Sequence, residues 1–437
     1  MLKKLLFALT VGVAAALGIA LTWALPWTGI AALALGIALW LALTRAGRRV
    51  GSMTASGMAT LPQRWGGASV VVVGIAGVVA VLVSLLAMGS GYESTFRATG
   101  SDRTAIVLRS GALTESTSNL DPQSVLLIGE KPQVARNAQG QPLVSAEVVV
   151  AASLPRRGSG QDANVMIRGV SPQVWAVRRR AKIIAGRRFR TGLRELDVGK
   201  DAAREFAHTA IGSTLDISGQ PWKVVGEFDS GDAHDSELWG DVNMVGAAFH
   251  RGDSVQSLTV RLTRARAFDA FKAALASDPR LKVQAHTTRR YYADQSKGMT
   301  HFIRILGLVV ASIMAIGAVA GALNSMYAAV SARTREIATL RAIGFRGGPV
   351  VASVLIETML LALAGGLAGA LIAWMLFRNF TASTMGPNFA AVVFQFRVTA
   401  RLMGEGLKWA LAIGFLGGLF PALRAARMPV TEGLREL

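Results

Sequence analysis

Long uncharged stretches of apolar residues lie near both ends of the chain, whereas the middle part, about residues 91–301, is polar. A helix needs about 20 mainly apolar residues to cross a bilayer, so each stretch of that length is a candidate span. Residues 5–25 and the shorter stretch 28–43 predict an N-terminal transmembrane hairpin within residues 1–45. A cleaved signal peptide is the alternative, but the first stretch is longer than the apolar region of such peptides, and no small-x-small cleavage site follows it.

The rest of the apolar pattern predicts four core spans and one surface segment. Residues 46–67 are mildly amphipathic, which favours a segment that lies along the inner membrane surface. The first core transmembrane helix is expected at 68–90, directly before the polar middle part. The C-terminal module, 302–437, is expected to hold three transmembrane helices, at about 302–327, 349–377 and 409–423.

The distribution of charge orients this bundle. The 437 residues include 47 Lys and Arg against 27 Asp and Glu, a net charge of +20. Residues 91–301 hold 29 of the basic and 22 of the acidic residues, so most of the excess flanks the spans. Lys and Arg favour the cytoplasmic side, which predicts a multi-pass protein with both termini in the cytoplasm and one large outer domain. An excess that follows the membrane flanks argues against a nucleic-acid partner.

The outer domain, 91–301, has a mixed pattern that predicts an α+β fold of two lobes, with an inserted lobe at about 154–246. Alternating apolar positions between turn residues indicate strands, and longer apolar periods indicate helices. The predicted strands are 104–108, 145–151, 164–169, 214–217, 222–228 and 257–262. The predicted helices are 121–130, 199–206 and 265–277.

Residues that carry enzyme chemistry do not form a recognisable motif. The chain has no Cys, and it lacks the Gly-x-x-x-x-Gly-Lys-Ser/Thr run that cradles nucleotide phosphates and the His-Glu-x-x-His run of zinc hydrolases. The sequence therefore predicts no catalytic residue, no metal site and no cofactor within this chain.

Two charged clusters in the outer domain leave alternatives open. The acidic residue types of a metal site occur together without regular ligand spacing, so a solvated acidic loop is favoured for Glu227, Asp229, Asp232, His234, Asp235, Glu237 and Asp241. A basic run favours a solvated face, and contact with the phosphates of anionic lipid or lipopolysaccharide is the alternative. It consists of Arg178, Arg179, Arg180, Lys182, Arg187, Arg188 and Arg190.

The segment 331–344, between two predicted spans, can form a short amphipathic helix that ends at a glycine. Such a helix offers a surface that a peripheral protein partner can bind. Its candidate residues are Arg333, Arg335, Glu336, Leu340, Arg341 and Gly344.

Polar and small residues within the C-terminal spans mark further positions. Glu357 is a carboxylate inside a span, where it needs a partner or a neutral form. A proton relay is one interpretation, but without an ionisable companion in the other spans a packing and hydrogen-bonding role is favoured. Small residues let helices approach closely, and the candidate packing positions are Gly365, Gly366, Gly369, Gly414 and Gly418.

Three stretches, in this order, carry a family resemblance. Residues 333–345 (Arg-Thr-Arg-Glu-Ile-Ala-Thr-Leu-Arg-Ala-Ile-Gly-Phe), the stretch from 355 to 369 and the run 417–435 resemble the FtsX-type permease module of MacB-like and LolC/LolE-like ABC transporters. The span 68–90 before an outer domain extends the resemblance over most of the chain. An additional N-terminal hairpin and the lack of a fused nucleotide-binding domain depart from the MacB pattern.

The resemblance implies a permease of the bacterial inner (plasma) membrane with a MacB-like periplasmic domain at 91–301 and an FtsX-like module at 302–437. It implies that the helix around Arg335, Glu336 and Arg341 is the coupling helix that docks on a separate dimeric ABC ATPase. ATP and Mg would then be bound by that ATPase, whose turnover moves the periplasmic domains. Further implied partners are membrane lipid, a second copy or a sibling permease, and a periplasmic adaptor with an outer-membrane protein.

The leading hypothesis is a permease subunit that drives export or extraction of a substrate. The alternative is a transmembrane regulator that uses the same motion to control a periplasmic partner such as a peptidoglycan hydrolase. A secondary transporter coupled through Glu357 is the third hypothesis. Stimulation of the ATPase by cargo favours the first, and stimulation only by a hydrolase partner favours the second.

Overall fold

The computed structural model describes residues 26–343, 347–386 and 390–429. The predicted stretch 5–25 and the predicted helix end at Gly344 lie outside these residues. Contacts divide the chain into two units, each described by itself. The helical unit comprises Met1–Met88, Ile303–Arg378 and Arg397–Leu437, and the sheet unit comprises Gly89–Phe302 and Asn379–Phe396.

Twelve α-helices occur within the described residues. In chain order they are α1 (Trp27–Leu43), α2 (Arg45–Ala59), α3 (Trp65–Ala98), α4 (Pro122–Gly129), α5 (Val174–Val177), α6 (Lys200–Glu205), α7 (Val242–Ala248), α8 (Phe268–Ala276), α9 (Thr288–Ser331), α10 (Thr334–Ala342), α11 (Gly347–Phe377) and α12 (Ala400–Arg427).

Among the described residues, the four helices α3, α9, α11 and α12 are long and apolar enough to cross a membrane. The prediction of four core spans is thereby confirmed. Helices α1 and α2 pass the same test only as a pair, and they meet at a bend of 99°. The bend follows from Thr44, which has an extended backbone and whose hydroxyl accepts a hydrogen bond from the Gly47 amide as the N-cap of α2.

Helix α2 lies within the segment that the sequence assigns to the inner membrane surface. Its buried positions are Gly47, Val50, Thr54 and Gly57, which recur at helical spacing. This face packs on α11, where the Thr54 hydroxyl donates to the Ser353 hydroxyl at 3.2 Å. This side of α2 is therefore covered by protein.

Glycines set the close contacts between the long helices. A Cβ added at Gly366 would lie 2.7 Å from the Ala410 Cβ, and one at Gly418 would lie 2.6 Å from the Thr358 hydroxyl. Three other positions are equally crowded: Gly365 against Val72 and Ile75, Gly369 against the Ala76 backbone, and Gly414 against Ala362. Small residues thus let α11 approach both α3 and α12, as in other membrane bundles.

Twelve β-strands occur within the described residues. They are β1 (Thr104–Arg109), β2 (Val144–Pro155), β3 (Asp162–Val170), β4 (Lys182–Gly186), β5 (Glu195–Gly199), β6 (Thr214–Ile217), β7 (Gln220–Asp229), β8 (Glu237–Asp241), β9 (Ser257–Arg261), β10 (Val283–Thr287), β11 (Thr381–Met385) and β12 (Ala391–Gln395).

Ten of these strands form one mixed sheet in the order β10-β1-β9-β2-β3-β8-β5-β7-β4, with β6 paired to β7. The pairs β3–β8 and β5–β7 are parallel, and the others are antiparallel. One hydrophobic cluster, around Leu258 and Phe271, covers the part with β1, β9 and β10. Another, around Trp222 and Leu238, covers the part with β3, β5 and β8. The α+β class is confirmed, and the two predicted lobes share this single sheet.

The segment between α11 and α12 is a β-hairpin, where the sequence predicts only an outer loop. Strands β11 and β12 pair from Thr381 with Gln395 to Met385 with Ala391. The hairpin belongs to the sheet unit, because the Val393 amide donates to the Ser236 hydroxyl at 2.9 Å. The C-terminal module 302–437 therefore supplies residues to both units.

Candidate functional site

Helix α10 forms the link between α9 and α11 that the sequence predicts as a docking helix. Its buried positions are Thr334, Ile337 and Ala338, so one side packs on the helical unit. Arg335 and Glu336 are exposed. Glu336 carries a negative charge in the first turn of the helix, where the helix dipole favours an anion. The sequence prediction of a short amphipathic helix at this position agrees with the structure.

The remaining predicted docking residues differ in their surroundings. Leu340 and Arg341 are half-buried, and Gly344 lies outside the described residues. The Arg341 guanidinium donates to the Met428 carbonyl beyond the end of α12. Arg341 is therefore engaged within the chain, whereas Arg335 and Glu336 are the members of the set that face outward.

Arg333 precedes α10, and its side chain points into the helical unit. Its Nη1 atom donates to Glu357 of α11 at 3.2 Å, and the two side chains are 15% and 3% exposed. Its Nη2 atom donates to the Gly57 carbonyl and the Thr60 hydroxyl at the end of α2. This ion pair connects α2, α10 and α11.

The sequence analysis finds no ionisable companion for Glu357 in the other spans, and the structure pairs this carboxylate with Arg333. The companion lies in the segment before α10 and not in another span, so comparison of the spans alone missed it. A buried carboxylate needs a partner of opposite charge. The position of Glu357 inside a span therefore already indicated that a partner exists. Arg333 answers that requirement, so its guanidinium is engaged within the chain, as that of Arg341 is.

A small cavity of about 60 Å³ lies beside this ion pair. Its walls come from α2, α9, α10 and α11, with apolar side chains such as Met53, Met326 and Ile337 around the charged pair. A cavity of this size holds only a few water molecules. It therefore leaves no room for a substrate beside the ion pair.

The acidic cluster of the sheet unit is only partly the solvated loop that the sequence favours. Its members His234, Asp235, Glu237 and Asp241 are buried, whereas the Asp229 side chain is 40% exposed. Arg168 of β3 lies on the interior of the sheet unit and is 1% exposed. It binds Glu237 at 2.8 Å, Glu115 at 2.7 Å and Glu147 at 2.9 Å. Burial raises the pKa of the Glu147 carboxyl, but Arg178 and Arg168 together lower it to about 2. These groups form a structural charge network.

Other members of the acidic cluster have local structural roles. Asp241 accepts hydrogen bonds from two backbone amides as the N-cap of α7. Asp232 binds the His234 ring at 2.8 Å, and Asp229 binds Lys200 at 2.6 Å. Spacing along the chain does not reveal these pairs, because each depends on a turn or on a neighbouring element.

The four long helices and the mixed sheet domain define a membrane protein with an external α+β domain. Residues 68–278 match the family described as MacB-like periplasmic core domain, and residues 308–430 match the family described as FtsX-like permease C-terminal. The chain belongs to the MacB-like ABC transporter permease family, in agreement with the resemblance noted from the sequence.

Two relatives illustrate this similarity. The macrolide export ATP-binding/permease protein MacB of Bradyrhizobium diazoefficiens is 27% identical over 309 residues, which are 66% of this chain and 46% of the relative. The uncharacterized ABC transporter permease YknZ of Bacillus subtilis is 26% identical over 278 residues, which are 58% of this chain and 66% of the relative. The chain thus spans about half the length of the MacB relative and two thirds of YknZ.

Two solved structures resemble the sheet unit region. The periplasmic region of MacB from Actinobacillus actinomycetemcomitans matches with a TM-score of 0.34 and 14% identity, covering 44% of this chain and 92% of that one. The extracellular domain of the ABC-type transporter YknZ from Gram-positive bacteria matches with a TM-score of 0.33 and 18% identity, covering 42% and 99%.

Proposed function

We propose that this chain is the permease subunit of an ATP-driven MacB-type transporter that exports or extracts a substrate. ATP and Mg bind to a separate dimeric ATPase, and two permease copies, or this chain and a sibling, complete the assembly. Both termini lie in the cytoplasm and the sheet unit lies in the periplasm. The similarity to the macrolide export ATP-binding/permease proteins MacB supports the transport class.

The exposed side of α10 is the observation on which this proposal rests. Arg335 and Glu336 face outward on a helix that Arg333 ties to Glu357 of α11 and to the end of α2. A partner that pushes on α10 therefore acts on several membrane helices at once. The pairing of Glu357 supports a structural role for this carboxylate and argues against the proton relay of a secondary transporter.

Helices α3 and α9 supply the route for the motion in this proposal. Each of them has residues in both the helical unit and the sheet unit. A helix resists bending along its length because every turn is hydrogen-bonded. A displacement at the cytoplasmic side is therefore carried along these helices to the sheet unit, without passage of substrate through a central pore.

A charge reversal on α10 tests the docking surface. The full chain is purified from native membranes in mild detergent, and the preparation is assayed for a bound nucleotide-binding subunit and for vanadate-sensitive ATP hydrolysis. Arg335→Glu is expected to lose both, because Arg335 is exposed on the proposed contact face. The variant is a cleaner test than Arg341→Glu, since Arg341 also contacts the Met428 carbonyl.

Arg266→Glu is the matched control, since Arg266 is equally exposed but belongs to the sheet unit. It is expected to retain the subunit and its ATPase activity. If wild type purifies without any ATPase, or if Arg335→Glu keeps normal assembly and turnover, the proposed docking surface is wrong. Stimulation of ATP hydrolysis by a peptidoglycan hydrolase, and by no transported cargo, would replace export with regulation.

A further inference from the structure

A cavity of about 230 Å³ lies within the sheet unit and is lined by residues from several places in the chain. These include the turn after α3, the segment after α5, the segment after β7, strand β9 and the first turns of α9. We call it the arginine cavity because five arginines line it: Arg178, Arg179, Arg180, Arg261 and Arg289. The sequence analysis leaves open whether part of this basic run is a solvated face.

Two of the five arginines are neutralised by carboxylates. Arg178 is bound to Glu147, with an Nη2–Oε2 distance of 3.0 Å. Arg289 is bound to Asp102 at 2.9 Å. Their charges are therefore already balanced by the protein, and they contribute mainly to the wall of the cavity.

The other three arginines bring charge that the described residues do not balance with a carboxylate. Arg261 donates to the Val177 carbonyl at 3.2 Å, and Arg180 donates to the Ala98 carbonyl at 3.3 Å. Arg179 is exposed and has no hydrogen bond or ion pair within the part of the chain described. Carbonyl groups accept hydrogen bonds but carry no net charge, so these three guanidinium groups are not paired with a carboxylate among the described residues.

The pKa of Arg261 reflects both its burial and its neighbouring cations. Burial lowers the pKa of the Arg261 guanidinium, and the neighbouring cations Arg179 and Arg103 lower it further. Asp232 is the acidic residue among the cavity residues, and it is bound to His234 at 2.8 Å. A ligand with negative charge would relieve this repulsion, whereas a cation or an apolar molecule would not.

The size of the cavity limits the ligand. Pockets for drug-sized molecules have volumes of about 300 Å³ or more, so this one suits a single charged group and a small part of the molecule that carries it. Guanidinium groups bind phosphate oxygens through paired hydrogen bonds. The Tyr292 side chain also lines the cavity and provides a hydroxyl group.

We propose that the arginine cavity binds a phosphate group, held by Arg179, Arg180 and Arg261, which is either a soluble phosphate compound or the headgroup of an anionic phospholipid. This site does not depend on the proposed transport function, because it needs no ATPase partner. The rest of the basic run lies outside the cavity, since Arg188 stacks on Trp175 and Arg190 is exposed.

The test uses the full chain, purified in a zwitterionic detergent, and inorganic pyrophosphate as the soluble probe. Isothermal titration calorimetry measures its dissociation constant for wild type and for the double variant Arg179→Gln, Arg180→Gln. Loss of charged hydrogen bonds is expected to weaken binding about tenfold or more. The matched control is Arg188→Gln, Arg190→Gln, which removes the same charge from the same basic run and is expected to bind like wild type.

The source of the phosphate group is decided by a second measurement on the same variants. Each protein is incubated with phosphatidylglycerol or phosphatidylcholine in detergent, washed, and analysed for retained lipid. Retention of phosphatidylglycerol that requires Arg179 and Arg180 and is displaced by pyrophosphate identifies a lipid headgroup as the ligand. Pyrophosphate binding that requires these residues, with equal lipid retention in all variants, identifies a soluble phosphate compound.

Two results would overturn the proposal. One is the absence of both pyrophosphate binding and selective phosphatidylglycerol retention in wild type. The other is equal weakening in the Arg188, Arg190 control, which would mean that only overall charge matters and that the run is a solvated face. Arg261→Lys serves as an additional variant that keeps the charge, and it is expected to bind more weakly than wild type but better than Arg261→Gln.

Discussion

Replacing Glu357 by Gln tests the ion pair that ties α10 to the helical unit. The change keeps the shape of the side chain and removes its charge, leaving Arg333 with the Gly57 carbonyl and the Thr60 hydroxyl as partners. Two opposite charges 3.2 Å apart attract each other by ~5 kcal/mol at an effective dielectric constant of about 20. Removing one partner of a buried pair costs roughly 3–5 kcal/mol, and the retained amide group places the expected loss at the lower end, about 3 kcal/mol.

A double-mutant cycle separates the pair from the other contacts of each residue. The apparent stability of the full chain in detergent is measured for Glu357→Gln, Arg333→Gln and the double variant. We expect the double variant to lose clearly less than the two single variants combined, with a coupling of about 1–3 kcal/mol. Glu336→Gln is the control, since this exposed carboxylate of α10 should change stability by no more than about 0.5 kcal/mol.

Additive losses in the cycle would refute the structural role of the pair. A Glu357→Gln variant with unchanged stability that abolishes proton-coupled uptake would instead make Glu357 a titrating transport residue. Loss of ATPase coupling together with loss of stability is the outcome expected if Arg333 holds α10 in position for the partner subunit.

Three further predictions concern packing and charge. Gly366→Leu should lower the melting temperature in detergent because its side chain meets Ala410, whereas Gly77→Leu, where a Cβ meets nothing within 4 Å, should not. Burial raises the pKa of Asp197 from 3.8 to about 7, so the native state holds this proton more tightly than the unfolded chain, and stability should fall by about 4 kcal/mol as pH rises from about 4 to about 7. Asp197→Asn should abolish this dependence in thermal melts across that range. Arg168→Met should destabilise the sheet unit by more than about 3 kcal/mol at pH 8, with partial recovery at pH 5 as the stranded carboxylates take up protons; equal loss at both pH values would contradict the network.

The sequence alone determined the structural features that depend on residues close together along the chain. The strand at Thr214–Ile217 was predicted with the observed bounds because Leu215 and Ile217 alternate with exposed residues. The turn that follows, Ser218 and Gly219, has positive φ at both positions, as a two-residue hairpin requires. The long apolar helices and the amphipathic α10 are likewise encoded in local periodicity.

Family membership was also accessible from the sequence. The runs 333–345 and 417–435 carry the resemblance, and the matched domains at 68–278 and 308–430 agree with it. The predicted docking residues Arg335 and Glu336 are exposed on α10. Their exposure follows from the period of a single helix, so it could be predicted without knowing which distant elements pack against α10.

Only the tertiary structure decided which charged residues meet. Arg333 pairs with Glu357, which is 24 positions away in the sequence, and Arg168 pairs with Glu115, which is 53 positions away. The β11–β12 hairpin contacts Ser236, which is more than 150 residues away. Hydrophobic periodicity reports which face of a helix or strand is buried, but the partner of a buried charge is set by how the elements pack. A carboxylate that looks solvated along the chain, such as Glu237, can therefore belong to the buried charge network of the sheet unit.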